Sequence, residues 1–174
     1  FTAVDIEDSD LKKELEHVQK TVDLGFNVVP RGKMHITLEF FEDADEEEIE
    51  EIKSAMENID IEPFKIETVG LGAFPSEDYI RVLWAGIESE KVHELYRQVS
   101  DHEVDASNNH DFEPHVTIAR VKNLSLEKKK KLQKSLREFQ DHYFGEMEVD
   151  RVKLFESRLT GKGSQYRLLH GEEL

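Results

Sequence analysis

The sequence has no cysteine, only four prolines, one tryptophan, and no apolar run near the roughly 20 residues that a membrane helix needs. Without cysteine there are no disulfides, thiol nucleophiles or thiolate zinc sites, and a reducing cytoplasm suits such a chain. Positive charge is also scarce: 23 Lys and Arg stand against 39 Asp and Glu, a net charge of −16. That balance excludes a broad electrostatic grip on nucleic acid, which needs many cations opposite phosphates. Any phosphate must be met locally. The opening Phe1 to Ile6 alternates like a strand and lacks the basic and hydrophobic profile of a secretion signal. No Gly-x-x-x-x-Gly-Lys loop occurs, so a reaction driven from an ATP site of its own is not expected.

What is present is enough chain for one domain, 174 residues, with strand and helix patterns interleaved. Phe1 to Glu7 reads as a strand. Leu11, Leu15, Val18 and Val22 then share a helical face, with Asp10 as cap, His17 beside the stripe and Gly25 as stop. Phe26 to Val29 is extended, Pro30 to Gly32 turns, and Met34 to Phe41 is the next strand. Asp45 with Glu48 forms a capping box ahead of Ile49, Ile52, Met56 and Ile59. Two alternating runs, Phe64 to Leu71 and Tyr79 to Ile87, predict a hairpin across Gly72 to Pro75, with Gly70 and Gly72 as turn residues. Ser89 caps a third helix over Val92, Leu95, Tyr96 and Val99, and polar Asp101 to Asn109 is a loop. Phe112 to Val121 is a strand. Ser125 caps a fourth helix, whose lysines at 128–131 are the solvent face opposite Leu132, Leu136 and Phe139. Met147 to Phe155 and Gln165 to His170 close the chain around Gly161, Lys162 and Gly163. This order predicts an α+β fold with helices outside a largely antiparallel sheet, in two similar halves of about 1–87 and 88–174.

One pattern occurs twice. His35-Ile36-Thr37-Leu38 returns 80 positions later as His115-Val116-Thr117-Ile118. With eight histidines and six threonines, chance supplies about 0.3 His-x-Thr triplets in a chain of this length. In a strand His35 and Thr37 share one face and Ile36 and Leu38 the other, and the second segment behaves alike. A lone strand histidine is more often a structural residue than a catalytic one, but a matched pair reverses that reading. Two imidazoles near neutral pKa suit a reaction in which one proton is taken and another delivered. Two hydroxyls beside them can hold anionic oxygens as charge builds, so a phosphodiester is the natural substrate and no metal or cofactor is required. Phe40 and Arg120 stand at matching offsets, five after each histidine. Arg120 is a candidate for the phosphate or a base and Phe40 for stacking, although strict alternation puts Phe40 on the apolar side of its strand. Arg31 and Lys33 are further candidates for local positive charge, whereas Arg151, Lys153, Arg158, Lys162 and Arg167 read as solvated strand edges. His110 and His115 with Asp111 and Glu113 have the chemistry of metal ligands, but an extended segment through Pro114 does not converge them.

The segments Phe1 to Ile6, Met34 to Phe40, Phe112 to Arg120 and Val152 through Gly163 to Tyr166 together resemble the 2H phosphoesterase superfamily. Within it they resemble the RNA 2′,3′-cyclic phosphodiesterase, or 2′-5′ RNA ligase-like, group. The stretch from Val29 to Lys33 follows that group only loosely. The resemblance implies a bilobal domain spanning 1–174, with two pseudo-symmetric antiparallel sheets lining a central cleft. It further implies opening of a 2′,3′-cyclic phosphate to a 2′-phosphate, with His115 activating water, His35 protonating the leaving oxygen, and Thr37 and Thr117 binding phosphate. The expected partners are RNA ends or short oligonucleotides, met by a cytoplasmic monomer with no membrane attachment. A non-catalytic RNA-end binding protein is the alternative.

Overall fold

Leu11, Leu15 and Val18 recur every three or four residues because they are the buried stripe of the first helix, α1 (Ser9–Thr21). Each is worth about 2 kcal/mol on removal from water. These positions come from a computed structural model that describes residues 1–22, 25, 27–106, 111–122, 124–161 and 163–174. The cap of α1 is Asp8, not Asp10: its carboxylate accepts from the backbone N–H of Asp10 and Leu11, and Asp10 instead pairs with Lys13. The capping box of α2 (Glu46–Glu57) forms as expected, with Asp45 and Glu48 bonding each other's backbone. α3 (Glu90–Val99) buries Val92, Leu95 and Val99, and α4 (Leu126–Glu138) buries Leu132 and Leu136. Its lysines lie on the open side, where Lys131 pairs with Glu127 and Lys134 with Glu138.

Among the described residues, nine antiparallel strands form one hydrogen-bonded sheet. They are β1 (Thr2–Asp5), β2 (Asn27–Val28), β3 (His35–Glu39), β4 (Phe64–Ser76), β5 (Tyr79–Glu88), β6 (His115–Arg120), β7 (Tyr143–Val149), β8 (Arg151–Thr160) and β9 (Gly163–Glu173). The order is β7-β4-β5-β6-β3-β1-β8-β9, with β2 beside β6. The fold is therefore α+β. Its two groups of strands meet at β3 and β6, where a single ladder pair, Ile36 with Val116, joins them. Strands of five and six residues thus share one ladder position at this seam.

Two boundaries differ from the sequence expectation, for one reason. Gly72 to Pro75 is not a turn: β4 runs on to Ser76 and the hairpin closes at Glu77 and Asp78. Gly70 and Gly72 accordingly lie inside β4, Gly70 with φ +76 where the register shifts. Met147 to Phe155 is not one strand but the end of β7 and the start of β8, broken at Asp150, and the two lie on different sides of the sheet. Alternation of apolar residues is the same in one long strand as in two consecutive ones. Phe26, His110 and Lys162, and residues 107–109 of the expected loop, lie outside the described residues.

Candidate active site

β3 and β6 bring the two motifs together. Continuing the register of Ile36 with Val116 by one residue sets His35 across from Thr117 and Thr37 across from His115. The histidines thus lie along one diagonal across the seam and the threonines along the other. Both apolar partners, Ile36 and Val116, are fully buried beneath. All four sequence-predicted catalytic and phosphate-binding residues therefore share one face at the seam.

Each imidazole is fixed by the same bond. His35 Nδ1 lies 2.8 Å from the Lys33 carbonyl and His115 Nδ1 lies 2.7 Å from that of Glu113. A carbonyl only accepts, so both bonds need the Nδ1–H tautomer, which leaves Nε2 free for chemistry on each ring. Burial pushes both histidines below the ordinary value, opposed by those carbonyl bonds. Weaker fields follow: Asp5 raises His35, Glu113 raises His115, and the Arg120 guanidinium lowers both.

The burial is aromatic on both sides. The His35 ring lies 5.3 Å from Phe1 and 5.6 Å, edge on, from Tyr166, and Phe1 also packs on Phe155. His115 lies 4.9 Å from Phe74 and 5.9 Å from Trp84. Trp84 lies over Gly72, where a Cβ would come within 2.1 Å of its ring; hence no other residue fits there. Phe74 is hidden in the sequence because the stretch holding it resembles a turn, and Trp84 stands out there only as the single tryptophan of the expected hairpin.

The matching offset of five comes from matching bulges. One step of β1, Thr2 to Ala3, spans two steps of β3, Glu39 to Thr37. One step of β5, Leu83 to Trp84, likewise spans Ala119 to Thr117 on β6. An extra residue resets the alternation. Leu38 and Glu39 are therefore both buried, as are Ile118 and Ala119, and Phe40 and Arg120 re-emerge on the exposed side. Phe40 is 43% exposed and touches the Phe1 ring at 5.5 Å. Arg120 is exposed and makes no ion pair among the described residues.

The other candidate cations are engaged elsewhere. Arg31 pairs with Glu16 and donates to Ser9. Lys33 donates to the Ser164 carbonyl and lies over the Tyr166 ring, fastening the β8–β9 hairpin beside His35. Lys153 pairs with Asp5 and Glu7, Arg151 with Glu173, and Arg158 and Arg167 both with Glu156. Among the described residues no three His, Asp or Glu side chains converge as a metal set. His110 lies outside those residues.

A family model, the AKAP7 2′5′ RNA ligase-like domain, matches residues 1–173. The chain belongs to that family. This 2′-5′ RNA ligase-like chain is 32% identical over 172 residues to the RNA 2′,3′-cyclic phosphodiesterase of Methanocaldococcus jannaschii, covering 97% of it and 96% of the relative. It is 36% identical over 168 residues to the enzyme of the same name from Aquifex aeolicus, covering 88% and 86%. In fold it is similar to a solved Thermus thermophilus protein, at 25% identity and a TM-score of 0.81, covering 100% and 96%. Escherichia coli LigT in complex with 3′-AMP shares the fold at 17% identity and a TM-score of 0.77, covering 100% and 96%. The chain is a 2H phosphoesterase and a hydrolase of the phosphodiesterase class. No helix of its described residues is long and apolar enough to cross a membrane.

Proposed function

We propose that the protein opens RNA 2′,3′-cyclic phosphates to 2′-phosphates by paired acid and base catalysis from His115 and His35. The observation that carries this reading is the matched pair of imidazoles, each committed through Nδ1 to a carbonyl with Nε2 left for the substrate. His115 Nε2 takes a proton from water as the water oxygen bonds to phosphorus. The bond from phosphorus to the 3′ oxygen breaks, and His35 Nε2–H delivers its proton to that oxygen. The product is a 2′-phosphomonoester beside a free 3′ hydroxyl, with the two histidines left in exchanged protonation states that solvent resets. With a 5′ hydroxyl in place of water the same step joins two ends through a 2′-5′ linkage, and in its reverse the 3′ hydroxyl attacks, the 5′ oxygen leaves and the two histidines exchange roles. Thr37 and Thr117 donate to the non-bridging oxygens, Arg120 opposes the charge building there, and Phe40 offers a face to a base. The scheme uses no metal and no cofactor.

Relatives named RNA 2′,3′-cyclic phosphodiesterase support the substrate class, and the net charge of −16 favours short RNA ends over long duplexes, handled by a monomer in the cytoplasm. The test is hydrolysis of a nucleoside 2′,3′-cyclic phosphate in EDTA by wild type, His35→Ala and His115→Ala. Turnover in the wild type alone is expected. Equal rates in all three would end the two-histidine scheme, and tight binding without turnover by the wild type would favour an RNA-end binding protein.

A further inference from the structure

Gln19 is a polar residue in the apolar stripe of α1, next to Val18 and only 7% exposed. Such a group is costly unless bonded. Its Nε2 donates to two carbonyls at once, Val29 at 2.8 Å and Ile118 at 2.8 Å. Ile118 is the extra residue of the β6 bulge, and its carbonyl also accepts from the Val29 backbone N–H at 2.8 Å. One amide thus joins α1, the end of β2 and the bulge two residues before Arg120.

We propose that Gln19 is the positioning residue for Arg120: by holding the Ile118 carbonyl from behind the sheet, it fixes the bulge that turns Arg120 onto the histidine face. The physical reason is local. A bulge leaves a backbone carbonyl out of the regular ladder, and a helix-borne donor there makes one bulge geometry cheaper than sliding back to plain alternation. Plain alternation would bury a guanidinium among Ile118 and Ala119 neighbours or strip the bulge of its register. β2, only two residues long and paired to Arg120 and Ala119, is too short to enforce that choice by itself.

Positioning through Arg120 has a signature that mere loss of packing lacks. The groups facing His35 are Asp5 from β1, His115 and Arg120 from β6, Lys33 ahead of β3 and Tyr166 from β9; those facing His115 are Glu113 and Arg120. If the guanidinium leaves, burial still lowers both rings but one opposing positive charge is gone, and both imidazoles titrate higher.

The experiment follows both imidazole C–H resonances by NMR against pH in wild type, Gln19→Met, Arg120→Gln and the double variant. Arg120→Gln raises both midpoints, Gln19→Met raises both in the same direction, and the double variant adds nothing further. In parallel, KM for a nucleoside 2′,3′-cyclic phosphate rises about tenfold in Gln19→Met with kcat less affected, the loss expected of one charge-assisted bond. The idea is overturned if Gln19→Met leaves midpoints and KM at wild-type values, or if Arg120→Gln leaves the midpoints unmoved. Should Gln19→Met not fold, Gln19→Asn keeps the amide and shortens its reach by one methylene, and the same outcomes decide. The rate arm rests on the proposed reaction but the titration needs no substrate, so failure of one is distinguishable from failure of the other.

Discussion

β3 and β6 carry the same four-residue pattern, anchor their histidines through the same ring nitrogen and bulge at the same place, yet they end on opposite chemistries. The β3 side is a hydrophobic wall of Phe1, Phe40, Phe155 and Tyr166. The β6 side sets His115 against Phe74 and Trp84 and finishes on the exposed cation Arg120. Even the supports of the bulges differ. On β6 the carbonyl of the extra residue is held by the neutral amide of Gln19, whereas on β3 it is the residue after the extra one, Glu39, whose side chain meets His102 Nε2 at 3.1 Å with both side chains almost wholly buried. The difference teaches that backbone symmetry fixes where the imidazoles stand, while the side chains around them make one side aromatic and leave the other with an exposed cation.

Breaking the symmetric part should cost most. His35→Ala and His115→Ala are each expected to lower kcat about 10²–10⁴-fold, measured on a nucleoside 2′,3′-cyclic phosphate, and an intact rate in either would break the comparison outright. Next come the bulge supports, where the two sides should separate. His102→Ala leaves the buried Glu39 side chain without its partner and should destabilise more in urea unfolding than Gln19→Met, which frees only neutral carbonyls and should cost about 1–3 kcal/mol. Equal losses would mean that the Glu39–His102 pair does nothing the amide does not.

Smaller effects sharpen the division of labour. Arg120→Ala should raise KM about tenfold and flatten its dependence on salt, while Phe40→Ala should raise KM by about the same factor or less with the salt dependence intact. Identical salt slopes would remove the distinction between a cationic and a stacking side. The smallest effect is on pH. Burial holds both histidines below their ordinary value of 6.5, so the acid keeps its proton only at lower pH and kcat/KM should be bell-shaped, with its alkaline limb below the usual histidine midpoint. The stability sign is fixed as well. The unfolded chain binds more protons between the folded and ordinary values, so stability is fully present above about 6.5 and falls as pH drops through the folded midpoints. A thermal midpoint that rises on acidification through that window would contradict the burial of both rings.

Much of this was legible without coordinates, and the failures are specific. The stripes of all four helices and the capping box at Asp45 follow from spacing alone, because a helix writes its buried face into nearby residues. His35, Thr37, His115 and Thr117 were legible as one face of two strands for the same reason. Strand ends were not: alternation continues unbroken through Gly72 to Pro75 and across Asp150, so it hid both the wall that carries Phe74 and the passage of the chain from β7 to β8. Phe40 fits core and surface equally on sequence, since an odd offset means the opposite face until a bulge intervenes.

The sequence by itself determined which side chains could do chemistry: two imidazoles, two hydroxyls and the alternation that keeps them on one side, all set by local backbone geometry. Only the tertiary structure decided that β3 and β6 are neighbours, that β5 pairs with β6 while β8 pairs with β1 on the far side of β3, and that Gln19 and His102 lie behind the bulges. Those contacts join residues far apart in sequence, such as Gln19 and Ile118, and no periodicity along a chain encodes which distant carbonyl an amide will meet.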